Sequence, residues 1–316
     1  MYWDEQFDQV DRSYGVLSMN APFQVGFLEI DRPIWIRRDA ELENYCLCKD
    51  GPLVVLTMPS VSYASGETSK LATVGKTNME GAFTRGAILK LCESLAYSTS
   101  STVKILAAQS TGRDAEGFVL FGSPATLHDF SIAMPKSAEW IIFLNLEITS
   151  EVWQLEVKLI AVKNELLMWS NKFDVDKLTP FSTVVTIADQ LIHELTKLGA
   201  VKLRTPPTWI GLLVNEWQDS YLACSEKALA IAAFQDTPAS LYQIRSIFDQ
   251  LLLLSASNPA HAPSALMYLL SLVRAKEKFQ AEVQEYARQT EDLEMTLQLE
   301  AFPMQQFRDL KADLFQ

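Results

Sequence analysis

The chain is poor in the residues on which most catalytic and metal sites depend. Its 316 residues include only three histidines and four cysteines. Cys46, Cys48, Cys92 and Cys224 are too few and too unevenly spaced for a disulfide framework. Cys46-x-Cys48 has the spacing of half a zinc site, but no second pair of Cys or His lies nearby, so we interpret these thiols as buried or incidental. Neither a bound metal nor another cofactor is expected.

Positive charge is also scarce. The sequence has 27 Lys and Arg residues against 39 Asp and Glu residues, which gives a formal net charge of −12 at pH 7. Nucleic-acid phosphates and anionic membrane surfaces are bound by clustered Lys and Arg, so we expect neither as a partner. An acidic surface favours protein partners with basic patches instead.

Long apolar runs are missing. The longest stretches, such as Trp140–Leu144 and Leu251–Leu254, are far shorter than the about 20 residues that span a bilayer. The first residues, MYWDEQFDQVDRSYG, are acidic where a secretory signal would be basic. The sequence therefore predicts a cytoplasmic protein with no membrane insertion, unless a precursor segment has been removed.

The middle of the chain shows the alternation of a mixed α/β domain. Apolar strands are predicted at Leu53–Met58 and Thr102–Ala108, with an amphipathic helix at Met79–Ala96 between them. A short helix at Leu127–Met134 and a helix from Pro180 to about Leu198, capped by Thr179 or Ser182, are also predicted. Three further strands are predicted between those helices, at Trp140–Ile148, Val152–Val162 and Glu165–Val175.

Helical spacing dominates after Leu203, with a proline-marked linker at Arg204–Trp209 and breaks near Pro238, Pro259 and Pro303. The predicted fold class is therefore α/β plus all-α, a mixed β-sheet domain followed by a helical-hairpin domain. The predicted divisions are 1–50, 51–203 and 204–316. The first is an extension in which Val25–Ile30 and Pro33–Arg38 are expected to form a β-hairpin.

One short motif suggests nucleotide binding. Gly75-Lys76-Thr77 stands between an apolar strand and a helix, where a phosphate-binding loop would lie, and Glu147 is placed to hold magnesium. The eight-residue window, however, opens with Lys70 rather than glycine, and we interpret the segment as a polar surface loop. The nucleotide alternative predicts magnesium-dependent ATP or GTP binding that Lys76→Ala abolishes.

The segment from Ser137 to Leu195 carries a more specific pattern. It has Ser137-Ala138-Glu139-Trp140, then the strand LEVKLIA at Leu155–Ala161, then Met-Trp-Ser-Asn-Lys-Phe-Asp at Met168–Asp174, and it ends in the helix Val184–Leu195. In this it resembles the domain at the amino end of the TolB translocation protein and the related FlgO-like domains, over roughly Leu53–Gly199. The resemblance implies an α/β docking and assembly module without catalytic activity. The helical region after it is similar to a degenerate tetratricopeptide-like array.

These features lead to one functional hypothesis with named residues. Trp169, Phe173 and Asp174 are expected to form a structural joint between a strand and a helix. The partner-binding residues are expected at Trp209, Trp217 and Tyr221 in the helical part. The predicted function is a non-enzymatic bacterial docking protein of a motility, envelope or signalling assembly. A homo-oligomer and a small-ligand sensor with a pocket between the domains are left open.

Overall fold

A computed structural model defines the fold of two compact units. It describes residues 13–14, 25–37, 47–48, 50–63, 72–74, 79–110, 117–149, 152–210, 213–233 and 241–315. The first unit lies within Met1–Pro33 and Asn44–Thr205, and the second lies within Ile34–Glu43 and Pro206–Gln316. The second unit is therefore discontinuous in sequence.

The first unit is built on one mixed β-sheet. Its strands are β1 (Ser13–Tyr14), β2 (Val25–Ile30), β3 (Leu53–Thr57), β4 (Ser60–Tyr63), β5 (Ala72–Val74), β6 (Thr102–Ser110), β7 (Gly117–Leu120), β8 (Ala138–Ile148), β9 (Trp153–Ala161) and β10 (Leu166–Val175). The main hydrogen-bonded order is β1-β2-β6-β3-β8-β9-β10. Strand β3 is parallel to β6 and β8, whereas β8, β9 and β10 form an antiparallel meander. Strand β4 continues beside β8, and β7 joins β5 to β6.

Burial along the strands follows their place in the sheet. Every residue of β3 is buried, as expected for a central strand covered on both faces. Along β9, from Trp153 to Leu159, buried residues alternate with partly exposed ones, which is the period of two seen in the sequence. The mixed α/β prediction is confirmed.

Two helices cover one face of the sheet. Helix α1 (Met79–Ser98) packs on β6 and β3, and helix α2 (Pro180–Lys197) packs on α1 and β10. Phe83 of α1 meets Trp153 of β9, with ring centroids 5.9 Å apart. The buried residues of α2 form a single stripe at helical spacing, namely Phe181, Val184, Ile187, Ala188, Leu191 and Leu195.

An aromatic cluster covers part of the other face. Phe130 is fully buried, and its ring centroid lies 5.4 Å from Phe27, 5.5 Å from Phe121 and 5.9 Å from Phe143. The helix predicted over Leu127–Met134 is a 3-10 turn at Leu127–Phe130. Thr126 and Asp129 cap its start, and Pro135 stops regular helix shortly afterwards because the residue before a proline avoids helical angles.

The hairpin predicted near the start is not seen among the described residues. Strand β2 pairs with β1 on one side and β6 on the other. Residues 33–37 of the predicted second strand are not in a strand, and Ile34 to Arg37 belong to the helical unit. Their high β-propensity is overridden by packing elsewhere.

The second unit is helical, which confirms the all-α part of the fold class. Its helices are α3 (Gln218–Ala233), α4 (Leu241–Ser257), α5 (Ala262–Ala275), α6 (Gln280–Thr296) and α7 (Ala301–Phe315). Helix α5 contacts α3, α4, α6 and α7, and its residues from Ala262 to Val273 are all buried. His261 begins α5 by accepting a hydrogen bond from the Ser264 amide. Within the parts of the chain that the structure describes, no helix has the length and apolar character needed to cross a membrane.

Candidate functional site

The Trp-Ser-Asn-Lys-Phe-Asp stretch lies inside strand β10. The strand runs without interruption from Leu166 to Val175, so the turn before α2 comes later than the motif itself. Asp176 organises that turn, since its carboxylate accepts a hydrogen bond from the Leu178 amide at 2.9 Å and another from the Thr179 hydroxyl at 2.9 Å. Both hydrogen bonds lower the pKa of Asp176 below its ordinary value, and the bond from the Leu178 amide has the larger effect.

Trp169 and Phe173 lie on the same side of β10. Their ring centroids are 6.3 Å apart, with Phe173 buried and Trp169 half-buried. Phe173 stands opposite Leu155 and Trp169 opposite Leu159, both of which are buried on β9. Asp174 lies on the opposite side, where its carboxylate accepts a hydrogen bond from the Gln154 side-chain amide at 2.9 Å. The aromatic pair thus packs at the sheet edge, while Asp174 bridges strands and Asp176 serves the turn.

Strand β10 forms one edge of the sheet and begins with exposed apolar side chains. Among the described residues it pairs with β9 and with no other strand, so its outer edge offers backbone groups for pairing. Leu166 is 54% exposed, Leu167 56% and Met168 39%. A β-bulge falls between Leu167 and Trp169. We call Leu166, Leu167 and Met168 the β10 tip.

A polar ladder lies along the same strands on the face away from α2. Lys172 pairs with Glu147 of β8 at 3.0 Å, reaching across β9, and Glu156 pairs with Lys158 at 3.0 Å on β9 itself. The hydrogen bond from Lys172 to Glu147 raises the pKa of Lys172. The ladder gives the far half of β10 a surface of mixed charge, since Lys172 stands opposite Glu156, whereas the β10 tip stands opposite Ile160 and Ala161.

The structure describes one of the four residues of the nucleotide alternative. Gly75, Lys76 and Thr77 lie outside the described residues, directly after β5. Glu147, the proposed magnesium ligand, forms an ion pair with Lys172. Nucleotide binding stays a prediction.

The predicted partner-binding aromatic residues are mostly interior. Trp209 is buried, with its ring centroid 5.9 Å from that of Trp35 and 6.3 Å from that of Phe302. Tyr221 of α3 is fully buried, and its ring meets the His261 ring edge-on at 5.2 Å. Trp217 is half-buried. Trp209 and Tyr221 thus belong to the core of the helical unit, because their large apolar rings face inward, and they do not form an exposed docking surface.

Two of the three described thiols, those of Cys92 and Cys224, are unsuited to nucleophilic chemistry. Burial raises the pKa of Cys224 to about 12 and also raises that of Cys92, and the thiolate is the reactive form of cysteine. In the described ranges, no cluster of three His, Cys, Asp or Glu side chains could hold a metal ion.

The β10 tip was not identified from the sequence. Three consecutive large apolar residues also suit a strand that is buried on both faces, as β3 is, so the run alone does not mark an exposed edge.

The similarity of the chain to known proteins is weak. No protein-family model and no curated protein sequence matches it. Among solved structures it is similar to a neuraminyllactose-binding hemagglutinin homolog from Helicobacter pylori, at 12% sequence identity and a TM-score of 0.26. That match covers 63% of this chain and 100% of the other.

Proposed function

We propose that this chain is a non-enzymatic docking protein whose α/β unit binds a protein partner through the β10 tip. The observation that carries the proposal is the exposure of three consecutive apolar residues, Leu166, Leu167 and Met168, on an edge strand. Large exposed apolar patches on edge strands promote association unless charge or covering elements block it. Lys172 and Asp174 lie further along β10, so the tip itself carries no charge.

Covering the β10 tip would contribute part of the binding energy. Fully burying a Leu or Met side chain contributes about 1.5–3 kcal/mol, so each half-exposed side chain of the tip adds up to about 1 kcal/mol on being covered. All three together would contribute about 3 kcal/mol, or roughly 100-fold in affinity. Main-chain hydrogen bonds along the free edge of β10 would add to this if the partner supplies a strand.

The resemblance of Ser137–Leu195 to the TolB amino-terminal and FlgO-like domains supports the same proposal. It adds a bacterial setting and a motility, envelope or signalling assembly as the destination. The net charge of −12 supports a partner with basic patches.

The test is affinity capture from the native host with the full chain. Leu167→Asp places a charge in the tip, and Met295→Asp places the same charge on another exposed apolar residue, 79% exposed in the helical unit. We expect at least one protein to be captured by the wild type and by Met295→Asp but lost with Leu167→Asp. Capture that is equal for both variants would contradict a role for the tip.

A further inference from the structure

A short segment from the early part of the chain belongs to the helical unit. Ile34 to Arg37 is assigned to that unit, whereas Pro33 before it and Asn44–Thr205 after it belong to the other. The segment is therefore connected to the helices only through residues of the α/β unit. We call Ile34–Arg37 the tethered segment.

The tethered segment is held by three kinds of contact. Ile34, Trp35 and Ile36 are 5%, 0% and 1% exposed, and the Trp35 ring meets the Trp209 ring edge-on. The Arg274 guanidinium donates a hydrogen bond to the Ile34 carbonyl at 3.1 Å.

The third contact is an ion pair between Arg37 of the segment and Asp313 of α7. Lys276 supports α7 at the same place by donating to the Asp313 carbonyl at 3.0 Å. Side chains of the helical unit therefore pack against Trp35, donate a hydrogen bond to a backbone carbonyl of the segment and form an ion pair with Arg37.

This set of contacts is that of a peptide ligand on its receptor. Trp and Arg are the residues that dominate binding energy at protein interfaces, and the segment contains one of each in contact with the helices. Arg274 binds the main chain through the Ile34 carbonyl, a group that any peptide offers. None of these contacts requires the segment to be part of the same molecule as the helices.

We infer that the helical unit is a binding surface for a short peptide that turns at its first two positions and carries a branched aliphatic residue, Trp, a second branched aliphatic residue and Arg in that order. The chain's own tethered segment occupies this surface, and a partner that presents such a peptide competes with it. The acidic Asp313 selects the basic end of the peptide. This surface is separate from the β10 tip, so the inference stands or falls independently of the proposed function.

The test uses the full chain and a fluorescent peptide of residues 32–37, Arg-Pro-Ile-Trp-Ile-Arg, followed by anisotropy. In the wild type the tethered segment competes at an effective concentration on the order of millimolar, so micromolar peptide binds weakly. In Trp35→Ala the competitor is weakened while Trp209, Arg274 and Asp313 remain. We expect the peptide to bind Trp35→Ala at least about tenfold more tightly than the wild type.

The controls separate recognition from simple loosening. The same peptide with Ala in place of Trp is expected not to bind, and Asp313→Ala added to Trp35→Ala is expected to weaken binding several-fold. Arg245→Glu added to Trp35→Ala is the matched control, because Arg245 is an exposed residue of α4 paired with Glu285, and it is expected to leave binding unchanged.

Two results would overturn the inference. One is a Trp35→Ala chain that melts cooperatively and binds the peptide no better than the wild type. If Trp35→Ala no longer unfolds cooperatively on heating, Arg37→Glu is used instead. This substitution replaces the attraction between Arg37 and Asp313 by repulsion and leaves Trp35 unchanged. The other overturning result is an Arg37→Glu chain that also shows no gain in peptide affinity. Dimerisation of the wild type that Arg37→Glu abolishes would support the surface and identify a second copy as its occupant.

Discussion

Phe130→Ala tests whether the segment after β7 contributes to the hydrophobic core of the α/β unit. Phe130 is fully buried and contacts Phe27, Phe121 and Phe143 at ring distances of 5.4–5.9 Å. Truncating a buried Phe to Ala costs about 3–5 kcal/mol, through lost transfer energy and the cavity that remains. Because a folded domain is stable by only about 5–15 kcal/mol, this single change removes a large part of the stability of the α/β unit.

Hydrogen exchange read by mass spectrometry measures this loss in the α/β unit directly. The slowest amides of β3 and β8 exchange through global opening of the unit, so a cost of about 3–5 kcal/mol raises their rates roughly 150- to 5,000-fold. Ile132→Ala is the matched control, because Ile132 is 57% exposed two residues further on, and its effect should stay within about 0.5 kcal/mol. Exchange of β3 and β8 in Phe130→Ala that is less than about fivefold faster would refute the assignment of Phe130 to the core.

Three further predictions concern particular residues. Gly199 ends α2 with φ at +68° and has open space around it, so Gly199→Ala should cost about 1 kcal/mol from the backbone alone; Gly199→Asn should cost less, and equal melting temperatures for all three chains would contradict this. The lowered pKa of Asp176 means that its stabilisation is complete above the ordinary Asp value and is lost as pH falls through the lowered one. The melting temperatures of wild type and Asp176→Ala should therefore differ at neutral pH, and the difference should shrink as the pH falls through the lowered pKa; a difference that grows on acidification would contradict the prediction. Cys224, with its pKa raised to about 12, should react with iodoacetamide at pH 8 only as fast as the chain unfolds, and faster labelling would show that the thiol is accessible.

The sequence predicts best those elements whose own pattern is decisive. The alternation along β9 and the apolar stripe of α2, with Pro180 in its first turn, identify these elements without reference to the rest of the chain. The short strands β4, β5 and β7 were missed, because three or four residues carry too little pattern to stand out from a loop.

The candidate sites depend on tertiary placement, which local pattern does not encode. Leu166 to Met168 is an apolar run that would suit a central strand as well as an edge strand, and only the order of strands leaves it exposed. Ile34-Trp35-Ile36 has the β-propensity of a strand, yet its side chains are buried in a different unit from β2. Trp209 and Tyr221 carry the composition of a docking surface, but the same aromatic rings are equally suited to a helical core.

Photo-crosslinking in the native host tests the docking claim most directly. A benzophenone amino acid is placed at Leu167 in one full-length chain and at Met295 in another, since both positions are exposed and apolar. The account predicts a crosslinked protein partner from position 167 that is absent from position 295. The same adduct from both positions, or no adduct from position 167, would contradict a docking role for the β10 tip.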